Sequence, residues 1–158
     1  MKMNVFALVT FFSPIILSAQ CLKGDCLNHY STFKFPDGSV YTGTFSKGEP
    51  KGLGTLLYQN GDLYQGNWES GDFNGYGKLT KSNGFYEGNF VNGQFNGVGE
   101  FHFTNGDLYS GEWKNNRQHG QGIIYKSSGA KFEGSFFEGK IHGKGLITRA
   151  DGQEISGI

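Results

Sequence analysis

The sequence predicts an all-β fold: an elongated, single-layer antiparallel sheet of about a dozen strands built from tandem β-hairpins. Three observations predict it. First, the spaced set Tyr-x-Gly-x-aromatic, then Gly-x-Gly, returns five times, beginning at Tyr41, Tyr64, Tyr86, Tyr109 and Phe132, with steps of 23, 22, 23 and 23 residues. Self-similarity at a fixed short period marks a repeat architecture, in which no unit buries its apolar face alone. Second, each copy contains two runs that alternate apolar and polar residues, the period of a β-strand. Third, the runs are separated by turn chemistry, including Asn60-Gly61, Asn83-Gly84 and Asn105-Gly106, a strong short-range hairpin signal.

Composition supports order. The 158 residues include 27 glycines, far above the usual ~7 %, but 15 Phe and 8 Tyr accompany them at fixed offsets, which a disordered chain lacks. Charges balance at 14 of each sign, so no global field favours nucleic acid.

The first segment, residues 1–19, differs from the rest. Lys2 supplies a positive start, Val5 to Leu17 is mostly apolar, and Leu17-Ser18-Ala19 ends on a small residue. This is the layout of a secretory signal peptide, and its apolar run is shorter than the ~20 residues of a membrane span. The expected location is therefore outside the cytoplasm: periplasmic, cell-surface or secreted. Cys21 also follows the apolar run as in a lipoprotein, but Gln20 stands where such signals carry a small residue. Residues 20–29 form an N-terminal cap holding Cys21 and Cys26, the chain's two cysteines. In an oxidising compartment they can bridge; Cys-x4-Cys without a second ligand pair is a poor zinc site.

Residues 30–158 form the repeat domain. In its first copy Tyr41, Gly43 and Phe45 alternate with Val40, Thr42 and Thr44. Lys47-Gly48-Glu49-Pro50-Lys51 then reads as a turn, and Gly52, Gly54, Leu56 and Tyr58 share a face of the second strand. At Asn60-Gly61 both residues tolerate positive φ. Later copies repeat the arrangement, with Tyr64, Gly66 and Trp68 on one side and Gln65 on the other. A Cβ-free position lets a large ring lie over the backbone and lets the sheet bend. Tyr64, Trp68, Tyr86, Phe90, Tyr109 and Trp113 are thus both the expected core and the candidate binding face, because a single-layer sheet has no second layer to cover it.

The spacing Tyr-x-Gly-x-[Phe/Trp]-x-x-Gly-x-x-x-Gly-x-Gly resembles the MORN (membrane occupation and recognition nexus) repeat, here of an exported bacterial type. The resemblance covers five full copies, with flanking halves at Tyr30–Gly38 and Ile155-Ser156-Gly157. Asn116 replaces the first turn glycine of the fourth copy and Phe132 replaces Tyr in the fifth; Asn also takes the left-handed conformation. The resemblance implies hairpin repeats acting as scaffolds or binding phospholipid.

The residues themselves offer no catalytic, metal or cofactor site. No Gly-x-Gly pair carries the third glycine of a dinucleotide fingerprint, and Gly143-Lys144 continues into Gly145, unlike a phosphate loop. His119 and His142 share a repeat position, so strand spacing separates them by ~9–10 Å, too far for one zinc. Asp62 and Asp107 lie in separate repeats and form no acid/base pair. Basic residues do not cluster, which weakens lipid recruitment. The expectation is a non-enzymatic protein-interaction or scaffold module of the cell envelope, with phospholipid or glycan binding by the aromatic face as the alternative. Ile155 and Ile158, on the last strand, are expected to pair with a partner or a second copy, since an unpaired edge templates another chain.

Overall fold

A computed structural model describes residues 19–157. The expected export signal, apart from Ala19, and Ile158 lie outside the described residues. Two compact units divide the chain between Lys81 and Ser82. The first holds β1 (Gln20–Lys23), β2 (Tyr30–Lys34), β3 (Val40–Ser46), β4 (Glu49–Leu57), β5 (Leu63–Glu69) and β6 (Asp72–Lys81). The second holds β7 (Gly84–Val91), β8 (Gln94–Phe103), β9 (Leu108–Lys114), β10 (Arg117–Tyr125), β11 (Lys131–Phe137), β12 (Lys140–Thr148) and β13 (Glu154–Ser156). Within each unit every strand pairs antiparallel with its neighbours in sequence. The fold is all-β, with thirteen strands in chain order and no helix among the described residues.

Two kinds of turn alternate. Inside each repeat the strands are joined by two residues, both with positive φ: Lys47-Gly48, Ser70-Gly71, Asn92-Gly93, Asn115-Asn116 and Glu138-Gly139. This is the mirror-image turn that matches strand twist, and Asn116 takes it at φ 65°. The expected five-residue turn at Lys47–Lys51 is thereby shortened: Glu49 and Pro50 already belong to β4. Between repeats, Tyr58 N–H donates to Asp62 O (2.9 Å) and Gly61 N–H to Tyr58 O (3.0 Å). Gly61 alone takes positive φ there, at 88°; Asn60 does not, and instead accepts the Asp62 N–H through its side chain (3.0 Å). The dipeptide expected to place two residues at positive φ places one. Phe103 to Asp107 and Arg149 to Gln153 repeat this geometry.

The two glycines of each Gly-x-Gly do different work. The first sits in a bulge opposite the partner strand and has positive φ, 72° at Gly52 and 88° at Gly75. The second lies opposite the glycine of Tyr-x-Gly: Gly43↔Gly54 and Gly66↔Gly77 in the first unit, Gly88↔Gly99 and Gly111↔Gly122 in the second. The tyrosine ring lies over this glycine pair. A Cβ on Gly66 would stand 2.5 Å from Gly77 Cα and 2.6 Å from the Tyr64 hydroxyl, so no larger residue fits. Each buried phenol then donates to a carbonyl three residues on: Tyr41 to Thr44 (3.0 Å), Tyr64 to Asn67 (2.8 Å), Tyr86 to Asn89 (3.0 Å) and Tyr109 to Glu112 (2.9 Å). That bond explains why the motif opens on Tyr more often than Phe: the buried hydroxyl needs an acceptor, and the bulge presents one.

Rings cover one face of the sheet in each unit and constitute its core. In the first, Trp68 packs edge-on against Tyr41 (4.9 Å) and Tyr64 (5.4 Å), while Phe73 stacks on Tyr64 at 3.6 Å. In the second, Trp113 bridges Tyr86 (5.3 Å) and Tyr109 (5.0 Å), and Phe95 stacks on Tyr86 at 3.8 Å. Edge-to-face and stacked pairs are the favoured arrangements of aromatic quadrupoles.

Candidate binding surface

The six rings expected to form a binding face are inside. Tyr64, Trp68, Tyr86, Phe90, Tyr109 and Trp113 are 0 to 7 % exposed, so they offer almost no surface to a ligand in this conformation. Phe73 and Phe95 help close the face, at a position whose composition in the first repeat is that of a turn. Its recurrence as Pro50, Phe73 and Phe95 in the first three repeats is the signal that marks it there as a core position; in the last two repeats it is Gln118 and the exposed Ile141. Burial pushes the Tyr41 and Tyr64 phenols upward, and takes that of Tyr109 up to about 12. The two indoles differ: Trp113 Nε1 donates to Gly99 O at 3.0 Å, whereas Trp68 Nε1 is buried with no acceptor among the described residues.

The opposite face carries several exposed apolar side chains. The residue between the paired glycines is Leu53 (69 % exposed) and Tyr76 (56 %) in the first unit, and Val98 (64 %) holds the same repeat position in the second. Beside Leu53, Tyr30, Thr42, Thr55 and Gln65 line a shallow depression of about 260 Å³. Strand alternation puts Thr42 and Gln65 toward solvent, and with them Leu53, between Gly52 and Gly54.

The N-terminal cap is tied to the first hairpin. Cys21 and Cys26 are disulfide-bonded (S–S 2.10 Å) and Cys26 is buried. Gly48 N–H donates to Leu27 O (2.9 Å) and Lys47 N–H to the Asn28 side chain (3.1 Å). At the other end Ile155 is half-buried and sits opposite Ile147 of β12.

The charged and histidine residues take structural or surface positions. Asp107 accepts from Lys126 Nζ (2.6 Å), Ser127 N–H (2.9 Å) and Asn105 (3.1 Å), bracing one inter-repeat turn against the next. Lys126 first, then Ser127, lower its carboxyl to about 2. His119 and His142 flank the Phe137 ring, at 5.3 and 5.8 Å. Among the described residues no group of three or more His, Cys, Asp or Glu could hold a metal ion.

The second strand of each repeat opens on Glu49, Asp72, Gln94, Arg117 and Lys140 in turn. This position is acidic in the first unit and basic in the last two repeats. In the first unit Lys51 pairs with Glu69 at 3.6 Å. In the second, Arg117 pairs with Glu138 at 3.3 Å, while Lys114, Lys140 and Lys144 make no ion pair among the described residues.

Comparison with solved structures finds, among others, three of low similarity. The TCP10c domain of Drosophila melanogaster Sas-4 is 11 % identical over 89 % of this chain and 99 % of that one, with a TM-score of 0.45. The Drosophila melanogaster SAS-4 (dCPAP) TCP domain, in complex with a proline-rich motif of Ana2 (dSTIL), is 12 % identical over 96 % and 97 %, TM-score 0.38. The G-box domain of the microcephaly protein CPAP is 11 % identical over 89 % and 99 %, TM-score 0.36. Similarity of this degree carries no functional inference. A comparison with curated proteins finds no significant match. A profile of the MORN repeat, by contrast, matches residues 41–63, 64–84, 86–108, 109–131 and 132–154, most of the chain. With its tyrosines over paired glycines in successive hairpins, the chain belongs to the MORN repeat family.

Proposed function

We propose that the chain is a non-enzymatic protein-interaction module of the cell envelope, exported to the periplasm, surface or medium. The carrying observation is the outward-facing apolar position of the first unit: Leu53 and Tyr76 recur at one place in two successive repeats and stay exposed. Exposed apolar side chains at register-equivalent sites are the marks of a partner surface. Export is supported by the Lys2 to Ala19 pattern and by the Cys21–Cys26 disulfide, a bond of oxidising compartments.

Cross-linking and pull-down from an envelope extract, run beside sedimentation with liposomes and with cell wall, tests the reading. Specific recovery of a protein partner supports it; sedimentation without any protein partner replaces it with lipid or glycan binding. N-terminal sequencing tests export, and an intact Met1 in a cytosolic fraction contradicts it. The edge of β13 is proposed as a secondary, self-pairing surface, because β13 pairs only with β12 among the described residues. Identical mass by light scattering for the wild type and an Ile155→Lys/Ile158→Lys variant would remove that surface from the proposal.

A further inference from the structure

We propose that the outer surface at the hairpin tips of the fourth and fifth repeats takes an acidic peptide segment carrying one apolar anchor. This rests on the reading of the chain as a protein-interaction module and names the chemistry of the partner. Register places the relevant side chains on one face. Arg117 lies opposite Lys114, and Lys140 opposite Phe137; directly opposed residues of an antiparallel pair point the same way. His119 is two residues from Arg117 and therefore shares its face, and its ring meets that of Phe137.

Charge selects the partner. Of the carboxylates here, Glu138 pairs with Arg117 (3.3 Å), while Glu112 accepts the Gln121 N–H (2.8 Å) and keeps its charge, against the three cations Lys114, Arg117 and Lys140. Lys114 and Lys140 are exposed and make no ion pair among the described residues, so the surface carries a local excess of positive charge on a chain of zero net charge. Complementary charge steers encounter and sets specificity, and two unpaired ammoniums suit a short run of carboxylates.

Shape selects the anchor. Phe137 is 53 % exposed, a large ring that folding does not cover. It forms part of a depression of about 310 Å³ lined by Lys114, Asn115, Arg117, His119, Phe137 and Glu138, enough for one aliphatic side chain. Both imidazoles are tilted against Phe137, by 46° and 47°, which makes a notch and not the flat platform on which a sugar ring stacks. Energy at such contacts concentrates in a few desolvated anchors, with the charged rim excluding water and fixing register.

The test is fluorescence anisotropy with a labelled oligoglutamate peptide containing one central leucine, its glycine counterpart, and oligogalacturonate. These are measured on the wild type, Phe137→Ser, Lys114→Glu/Lys140→Glu, and a first-unit control, Lys34→Glu/Lys47→Glu; circular dichroism verifies that each variant is folded. The expected result is binding of the leucine peptide that weakens with salt. Affinity falls about tenfold or more for Phe137→Ser and for the tip double variant, and is unchanged in the first-unit control. Absence of binding, equal affinity for the leucine and glycine peptides, equal loss in the first-unit control, or preference for oligogalacturonate each overturns the proposal. The broader reading is separable: a protein partner recovered equally by wild type and tip variants removes this inference alone, whereas failure to recover any partner removes both.

Discussion

Trp68 and Trp113 occupy the same repeat position and differ in one atom's environment, which allows the worth of a single hydrogen bond to be measured within one chain. Both indoles pack edge-on between the tyrosine of their own repeat and that of the preceding one. Phe45, Phe90 and Phe136 fill this position in the other repeats, so phenylalanine is accommodated. Substituting each tryptophan by Phe removes the same ring atoms, and that loss largely cancels in the comparison. The remaining difference is the indole N–H. Trp113→Phe breaks the 3.0 Å bond to Gly99 O, a loss of about 1 kcal/mol. Trp68→Phe removes a buried donor that has no acceptor among the described residues, relieving a desolvation penalty of about 1–3 kcal/mol. Trp113→Phe is therefore expected to be less stable than Trp68→Phe by about 2–4 kcal/mol. Urea unfolding followed by far-ultraviolet circular dichroism reads the difference as a shift in midpoint at similar slope. Equal midpoints for the two variants, or a larger loss for Trp68→Phe, would refute the assignment of the two indoles.

Gly66→Val should lower stability by roughly 1–3 kcal/mol or more, since its Cβ would meet Gly77 Cα and the Tyr64 hydroxyl at 2.5 and 2.6 Å; an unchanged melting temperature contradicts the ring-over-glycine packing. The raised phenols set the alkaline limit of stability. Protonated Tyr109 contributes stability fully below the ordinary tyrosine value near 10, and that contribution is lost as pH rises through about 12; absorbance titration should show the exposed phenols ionising first and the buried ones, Tyr41, Tyr64 and Tyr109, only with unfolding. Asp107 acts at the other extreme: its depressed pKa contributes stability above about 4 that disappears as pH falls through about 2. The melting-temperature gap between wild type and Asp107→Asn should accordingly be constant at neutral pH and close in acid, and a gap independent of pH would show that Lys126 and Ser127 do not act on the carboxylate.

The period, the strand alternation and the pairing of tyrosine with glycine are legible because a β-strand has a rigid two-residue repeat and only glycine leaves room for a ring. Ring orientation is not legible, and it decides whether the aromatic face is open. A lone sheet has no covering layer, yet Tyr64 and Phe73 lie flat on one another and Trp68 stands edge-on to both, so the rings seal themselves. Phe73 and Phe95 are hidden for a second reason. Glu49-Pro50-Lys51 has the composition of a turn, whereas the chain reverses in the two residues Lys47-Gly48 and returns to strand at once. The bulge at Gly52 adds two residues and so keeps the faces in step: Pro50, Gly54 and Leu56 all oppose aromatic-face residues, and Leu53, between two glycines, points outward. The change of charge from Glu49 and Asp72 to Arg117 and Lys140 stands at a fixed offset in the repeat and is legible in the sequence, but that these residues open a strand at the hairpin tip is not.

The central claim is that binding belongs to the outer face while the aromatic face is core. Partner recovery by cross-linking from an envelope extract, compared between wild type and a Leu53→Ser/Tyr76→Ser variant of equal thermal stability, tests it most directly. Leu53 and Tyr76 are more than half exposed, so their replacement leaves the core intact and should abolish most recovery of the protein partner. Undiminished recovery by that variant would contradict the claim.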